Sequence, residues 1–582
     1  MANSRLKQLG IYLRPHWRQT GIGILALLLV NGVGVYIPLL LRDGIDELQQ
    51  SFSYQRVIIY ALWILLLATV VWFMRMISRV LLFGVGRQVE FDLKQKIFNH
   101  LLTMEPAYFA ENTAGDLISR ATSDVDNIRR LVGFAVLSLA NTLFAYALTL
   151  PVMLGIDVRL TLIAIAIYPA MFFLVYLFSD RLRQQQLIVQ QQTAELSDLI
   201  QEDMSGMALI KIYAQEDNER RAFGRLNQQL LEANLALAKT RTTLFPLLGG
   251  LASISLLVLL AFGAGEIANG RITVGDFLAL LLYVERLVFP TALLGFTITA
   301  YQRGEVSVDR VEYILAEQPK IHDTASAQPL RRDDVRGWLS AHHLSYAYPD
   351  AKEPALQDVS FTIKPGETVA VVGSIGSGKS TLANALPRLL DIAPEQVFLD
   401  GYDITKLRLK DLRGAIAYVP QESFLFSTTI KNNIRYGDPV AEQDQVETAA
   451  KQSQIHPEIL NFPQQYKTIV GERGITLSGG QRQRTALARA LLTDAPVLIL
   501  DDSLSSVDNQ TATEILNNLK VGTQRKTVLF ITHQLSAAAL ADRILVMDQG
   551  RVSQAGTHSE LLAQPGLYQE LWEQHKLEEI LN

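Results

Sequence analysis

Val369–Thr381, with the sequence VAVVGSIGSGKST, decides the fold of the second half of the chain. Its first four residues form a short apolar run that predicts a buried strand. The next eight, Gly373–Ser380, fit the pattern G-x-x-x-x-G-K-[ST]. Glycines let the backbone curl so that successive N–H groups point at phosphate oxygens, and the N-terminus of a following helix adds partial positive charge. The stretch therefore predicts a phosphate-binding loop between a strand and a helix at 381–390.

The side chains of this loop have separate expected tasks. Lys379 is expected to reach the β- and γ-phosphates of a nucleotide, and the hydroxyl of Ser380 to bind Mg²⁺. A chance glycine-rich turn is the alternative, but strand, loop, Lys-Ser pair and helix in this order disfavour it. The predicted phosphate-binding residues are Gly373, Ser374, Gly376, Ser377, Gly378, Lys379, Ser380 and Thr381.

Length and composition divide the chain into two kinds of region. At 582 residues it is too long for one domain. Hydrophobic residues make up 49% while charged residues still make up 19%, which indicates a membrane half and a soluble half. The net charge of −5 gives no support for nucleic-acid binding. The absence of cysteine from the sequence excludes disulfides and thiolate metal sites.

The first half contains apolar runs long enough to cross a membrane. In one of them Glu285 and Arg286 interrupt the apolar pattern, and charges at membrane depth usually face a partner or a cavity. Either each of these two residues pairs with another span or lies near a membrane interface, or one of them faces a substrate path, and both alternatives stay open. The six predicted spans are 21–41, 57–74, 131–156, 160–179, 242–265 and 277–300.

The loops between these runs give the expected topology. Loops 88–130 and 180–241 are long and rich in Lys and Arg, so the positive-inside rule places them in the cytoplasm. Six spans return the chain to that side. We expect a multi-pass protein of a bacterial inner membrane, with a membrane domain at 1–316, a polar linker at 317–336 and a nucleotide-binding domain at 337–582.

The second half alternates short apolar strands with helices, as in α/β domains. Val497–Asp501, VLILD, is a hydrophobic strand that ends in a carboxylate. Such a strand places Asp501 at the carboxyl edge of the sheet, beside the Mg²⁺ of a bound nucleotide. The pattern is weak alone and strong with a phosphate-binding loop about 120 residues earlier.

A second anion site is predicted at Leu477–Gln481, LSGGQ, which precedes a helix. A chain that already holds one phosphate-binding loop does not need another for the same nucleotide. This second site is therefore expected to close on a nucleotide held by another subunit. Its residues are Ser478, Gly479, Gly480 and Gln481.

The chain resembles the ATP-binding cassette family in its order of motifs: the phosphate-binding loop, Gln421, LSGGQ, LILD and His533. It resembles the exporters of that family in its six preceding spans with two long loops. The resemblance implies six transmembrane helices followed by an α/β P-loop nucleotide-binding domain, with coupling helices in the two long loops and ATP and Mg²⁺ as cofactors. It also implies that Tyr348 stacks on adenine, that Gln421 contacts Mg²⁺ and the attacking water, and that His533 lies near the γ-phosphate.

One position departs from the family pattern. The family usually places Glu, the general base, after the Asp of the LILD strand, and this chain has Asp502. Either the shorter carboxylate still works, in a homodimer, or this site binds ATP and hydrolyses it poorly. The otherwise intact motifs favour one subunit of a heterodimer whose partner carries a true Glu.

The expected function is ATP-driven export as half of a dimeric transporter. The apolar spans favour a cargo that is amphipathic or hydrophobic: a small molecule, a lipid or a peptide. Two alternatives are a homodimeric lipid flippase or drug exporter with Asp502 as the working base, and an ATP-gated channel or regulator that transports nothing.

Overall fold

The computed structural model describes residues 10–50, 52–349, 351–520 and 525–581. The chain divides into two compact units. The first takes in the chain up to Leu102 and Thr113–Glu317, and the second takes in Thr103–Asn112 and the chain from Gln318 onward.

The first unit is a bundle of long apolar helices. Within the described residues, six helices are long and apolar enough to cross a membrane, which confirms the six predicted spans. Each extends beyond its apolar run, because the helical pattern continues into the charged loops. We call them span 1 (Gly10–Gln50), span 2 (Tyr54–Leu101), span 3 (Ala114–Ile156), span 4 (Val158–Ser205), span 5 (Glu216–Ala268) and span 6 (Val274–Ala316).

Polar groups inside this bundle bond to neighbouring helices, as a hydrocarbon environment requires. The Tyr283 hydroxyl of span 6 donates to the backbone carbonyl of Val35 in span 1 at 2.6 Å. The Tyr168 hydroxyl of span 4 donates to the carbonyl of Val284 at 2.6 Å. These bonds tie span 6 to spans 1 and 4.

The two charged residues of span 6 have different surroundings. The Arg286 guanidinium donates to the backbone carbonyl of Asn31 in span 1 at 3.0 Å and lies against Gly34. Glu285 is exposed on the surface of the unit. Arg286 therefore contacts another span, the first of the two alternatives raised for it.

The second unit is an α/β domain with two sheets. One sheet has the strand order β2-β1-β4-β5 and the other β10-β9-β3-β8-β7-β6. In the larger sheet β9, β3, β8, β7 and β6 are parallel and β10 is antiparallel. The strands are β1 Leu339–Tyr346, β2 Leu356–Ile363, β3 Thr368–Gly373, β4 Val397–Leu399, β5 Tyr402–Asp403, β6 Ile416–Val419, β7 Val497–Asp501, β8 Thr527–Ile531, β9 Arg543–Asp548 and β10 Arg551–Gly556.

The helix after the phosphate-binding loop differs from its predicted bounds. It spans Lys379–Ala385, whereas the predicted range was 381–390. The helix therefore starts two residues earlier and ends five residues earlier than predicted. Pro387 explains the early end, because proline has no N–H to continue the helical hydrogen bonds. The early start places the N–H groups of the first helical turn directly behind the loop.

Candidate nucleotide-binding site

Four parallel strands bring the predicted site residues to one edge of the larger sheet. In the order β3-β8-β7-β6, neighbouring strands run in the same direction. Their carboxyl ends therefore meet at one edge, where open α/β sheets bind ligands. The loop follows β3, His533 follows β8, Asp501 and Asp502 lie at the end of β7, and Gln421 follows β6.

The loop after β3 has a backbone that only glycine adopts easily. Gly378 has a φ of +93°, and a Cβ there would lie 2.4 Å from the carbonyl oxygen of Ala355. Gly373 has a φ of +150°, and its Cβ would lie 2.0 Å from the carbonyl oxygen of Met547. Both glycines therefore permit a turn and a close backbone approach that any side chain would block.

Lys379 is held inside this loop. It is 6% exposed, and its Nζ donates to the carbonyl oxygens of Gly373 at 3.0 Å and Ser374 at 2.7 Å and to the Ser377 hydroxyl at 3.4 Å. Burial lowers the pKa of the Lys379 ammonium, and the charges of Asp502 and Asp501 oppose this shift. The ammonium is thus fixed at the centre of the loop.

Ser380 and Asp501 form the second part of the site. The Ser380 hydroxyl donates to Oδ1 of Asp501 at 3.0 Å, and Asp501 is 2% exposed. The Tyr418 hydroxyl lies 2.9 Å from Oδ1 of Asn384 and 3.3 Å from Oδ2 of Asp501, and its one proton is shared between these two acceptors. Each oxygen of the Asp501 carboxylate therefore has a hydroxyl within hydrogen-bond distance, which orients it.

Asp502 lies next to this carboxylate in a different environment. Its φ is +46°, in the left-handed region, and its side chain is 8% exposed. Its backbone N–H donates to the carbonyl of Ile531 at 3.1 Å, which ties the end of β7 to β8. Within the described residues, its buried Oδ1 has no hydrogen-bond partner.

Burial changes the acidity of both carboxyl groups. It raises the pKa of Asp501, although the hydroxyls of Ser380 and Tyr418 oppose the rise. Burial also raises the pKa of Asp502, and the charges of His533 and Lys379 and a hydrogen bond from the Gln421 amide oppose this rise. Both groups are therefore poorer acids than free aspartate, because the charged form is desolvated.

Most of the predicted residues line one cavity of about 370 Å³. Tyr348 lies at its side, where its hydroxyl is 3.4 Å from the Thr381 hydroxyl. Gly373, Ser374 and Ser377 support the loop and do not line the cavity. The predicted residues that line it are Tyr348, Gly376, Gly378, Lys379, Ser380, Thr381, Gln421, Asp501, Asp502 and His533.

The LSGGQ residues do not line this cavity. They form the start of the helix Gly479–Leu492, with Ser478 as its N-cap. The Ser478 hydroxyl accepts from the Gln481 N–H at 3.2 Å, and Oε1 of Gln481 accepts from the Ser478 N–H at 2.9 Å. This capping box uses the N–H groups of Ser478 and Gln481, so the N–H groups of Gly479 and Gly480 are the candidates to bind an anion at this helix N-terminus. The structure thus gives two separate predicted anion sites in one unit.

Sequence reasoning missed Tyr418. It lies in β6 opposite Ile499 of β7, two residues before Asp501. A tyrosine at that place on a strand beside the LILD strand was a usable signal, because parallel register sets residues side by side. Its position next to the metal-ligand candidate became evident only from the strand order.

Comparison with protein families gives two matches. Residues 20–291 match the family described as ABC transporter transmembrane region. Residues 356–505 match the family described as ABC transporter. The two matches fall on the membrane bundle and on the α/β domain.

Individual proteins match over nearly the whole chain. The chain is 34% identical to the probable multidrug resistance ABC transporter ATP-binding/permease protein YheI of Bacillus subtilis (strain 168), covering 99% of this chain and 98% of that protein. It is 33% identical to the multidrug resistance-like ATP-binding protein MdlA of Escherichia coli (strain K12), covering 99% and 97%. Its structure is similar to that of a bacterial Atm1-family ABC exporter with ATP bound, with a TM-score of 0.78 and 25% identity over 96% of this chain and 99% of that one.

Proposed function

Since the chain belongs to the ABC transporter family, as an ATP-driven exporter of the multidrug type, we propose that it is one subunit of a heterodimer whose own nucleotide site hydrolyses ATP slowly. The observation that carries the proposal is Asp502 in place of the usual Glu, beside an otherwise intact set of motifs. The chain would bind nucleotide well and contribute a sound LSGGQ segment to its partner.

The residues of the cavity fit a nucleotide with Mg²⁺. Ser380 Oγ and Asp501 Oδ1 are 3.0 Å apart, so two hard oxygen ligands stand side by side. Mg²⁺ is commonly held by one or two protein oxygens together with substrate phosphates. When bound, Mg²⁺ would neutralise phosphate charge. Lys379 and the N–H groups of the loop would hold the phosphates, and Tyr348 would stack on the base.

The LSGGQ helix start supports a dimer. Ser478–Gln481 lie outside the cavity of their own chain, and the capping box uses the N–H groups of Ser478 and Gln481. The N–H groups of Gly479 and Gly480 would then meet a nucleotide bound by a partner. In a head-to-tail dimer each nucleotide would then lie between the loop of one subunit and the LSGGQ segment of the other. ATP would join the two nucleotide-binding domains, and hydrolysis would release them.

Side-chain length is the reason to expect slow hydrolysis. A general base must come within about 2.6–3.2 Å of the water whose proton it takes. Asp502 is one methylene shorter than Glu, and a misplacement of about 1 Å can cost on the order of 10²-fold in rate. A raised Asp502 pKa makes the group a stronger base but does not restore its reach.

The proposed cargo is amphipathic or hydrophobic, and it would be moved across a bacterial inner membrane with the nucleotide-binding domain in the cytoplasm. The orientation rests on the basic loops 88–130 and 180–241. The largely apolar spans support the cargo class.

Native mass spectrometry of the complex captured on this chain from its own cells tests the proposal. A second, different chain of similar size is the expected result. A mass equal to twice 64.8 kDa would refute the heterodimer and leave Asp502 as the working base at both sites.

A further inference from the structure

A cavity of about 1060 Å³ lies among spans 3, 4, 5 and 6 of the first unit. Its lining contains four arginines and, within the described residues, no carboxylate: Arg130, Arg183, Arg241 and Arg303. A volume of this order suits a drug-sized or lipid-sized molecule. The charge of the lining is strongly one-sided.

The four arginines share one end of the bundle. They lie within four residues of the ends of the predicted apolar runs 131–156, 160–179, 242–265 and 277–300. Three of them belong to the long basic loops 88–130 and 180–241, and Arg303 follows the last run. Apolar side chains line the cavity further along the same helices, among them Phe134, Leu244 and Phe296. Arg303 and Phe296 are seven residues apart on one helix, or about 10 Å along its axis. The cavity therefore has a cationic rim and an apolar interior.

Two of the four positive charges are not neutralised by the protein. Arg130 pairs with Asp126 at 2.8 Å, and Arg183 pairs with Asp180 at 3.1 Å. Within the described residues, Arg241 and Arg303 have no ion-pair or hydrogen-bond partner. Arg241 and Arg303 are exposed and line the same open cavity. Two unpaired guanidinium groups on one cavity attract an anion, and guanidinium is the side chain that best matches carboxylate and phosphate oxygens.

We propose that this cavity binds an anionic amphiphile, with its carboxylate or phosphate head against Arg241 and Arg303 and its apolar body among the side chains further in. The inference rests on the proposed export function and narrows its cargo to the anionic class. Arginines at the cytoplasmic ends of spans also follow from the positive-inside rule, but topology alone does not require that they line one cavity. The amphiphile is either a cargo from solution or a bilayer lipid with an anionic headgroup.

The test uses the whole complex in nanodiscs of phosphatidylcholine, without nucleotide. The probes are dansyl-undecanoic acid and its methyl ester, which share the apolar body and differ in charge. We expect the acid to bind at least about tenfold more tightly than the ester, because the charged head adds charge-assisted contacts. The double variant Arg241→Gln with Arg303→Gln should lose this preference, and Lys at both positions should retain much of it.

Arg181→Gln is the matched control. Arg181 lies two residues from Arg183 on span 4, is exposed and does not line the cavity, since residues two apart point to different sides of a helix. This variant should keep the preference for the acid. Equal binding of acid and ester, or an equal loss in the Arg181 control, would overturn the proposal.

Competitors identify the source of the anion. Displacement of the probe by phosphatidylglycerol added to the nanodisc supports a lipid headgroup as the ligand. Displacement by dodecyl phosphate, with no effect of phosphatidylglycerol, supports a cargo from solution. ATP hydrolysis is measured on the same samples: a complex that hydrolyses ATP but does not distinguish acid from ester keeps the proposed function and loses this inference.

Discussion

Replacing Asp502 with Glu tests whether side-chain length limits hydrolysis at this site. The added methylene advances the carboxylate by about 1 Å, and positioning errors of that size cost on the order of 10²-fold. Asp502 lines the cavity together with Lys379, Gln421 and His533. Because these residues are the ones expected to surround the γ-phosphate, we expect a longer carboxylate side chain to come closer to it. We expect Asp502→Glu to raise hydrolysis at this site by about 10-fold to 10²-fold.

The backbone conformation of Asp502 should make this substitution unfavourable for stability. Asp502 has a φ of +46°, a region that Asp and Asn tolerate better than longer side chains. Asp502 already adopts this conformation, so only the poorer tolerance of Glu for it counts, and a small loss of thermal stability should accompany the gain in rate. The rate gain and the stability loss are separate measurements, and neither substitutes for the other.

The assay needs a background in which this site alone turns over. The complex is prepared with a partner whose own catalytic carboxylate is changed to an amide, and phosphate release is followed at saturating MgATP. Asp502→Asn, which keeps the volume and removes the base, is the matched control and should lower the rate. An unchanged rate in Asp502→Glu, with unchanged nucleotide affinity, would refute the argument from side-chain length.

Three further predictions concern other contacts. Gly378→Ala should abolish binding of a fluorescent ATP analogue, because its Cβ would lie 2.4 Å from a carbonyl oxygen. Gly414→Ala is the matched control and should keep normal binding, because its Cβ would meet nothing within 4 Å and Gly414 lies outside the cavity. At pH values above the pKa of the buried carboxyl, Asp502→Asn should raise the unfolding temperature of the full chain. This gain should shrink as the pH falls through that pKa, because protonation of Asp502 removes the same desolvated charge. A gain independent of pH would contradict the assigned cause. Gly34→Ala should lower the unfolding temperature, because its Cβ would displace the Arg286 guanidinium from the Asn31 carbonyl that accepts its hydrogen bond. Gly32→Ala, with open space around it, should not; equal effects would show that this hydrogen bond does not contribute to stability.

The sequence alone determined the two-part architecture and predicted most of the residues that line the candidate nucleotide site. Apolar runs long enough to cross a membrane are visible in the order of the residues. The phosphate-binding loop, LILD and LSGGQ are recognisable because phosphate and metal binding require these residue types at these spacings. The roles assigned to these residues stay predictions, although the structure brings Lys379, Gln421, Asp501, Asp502 and His533 to one cavity.

Tertiary structure decided what depends on neighbours distant in sequence. The register of β6 against β7 placed Tyr418 beside Asp501, and helix packing directed Arg286 to a carbonyl of span 1. It also gathered arginines from four separate spans around one cavity. Local sequence sets which face of a helix or strand is apolar, but only the packing of those faces fixes which polar side chains share a space.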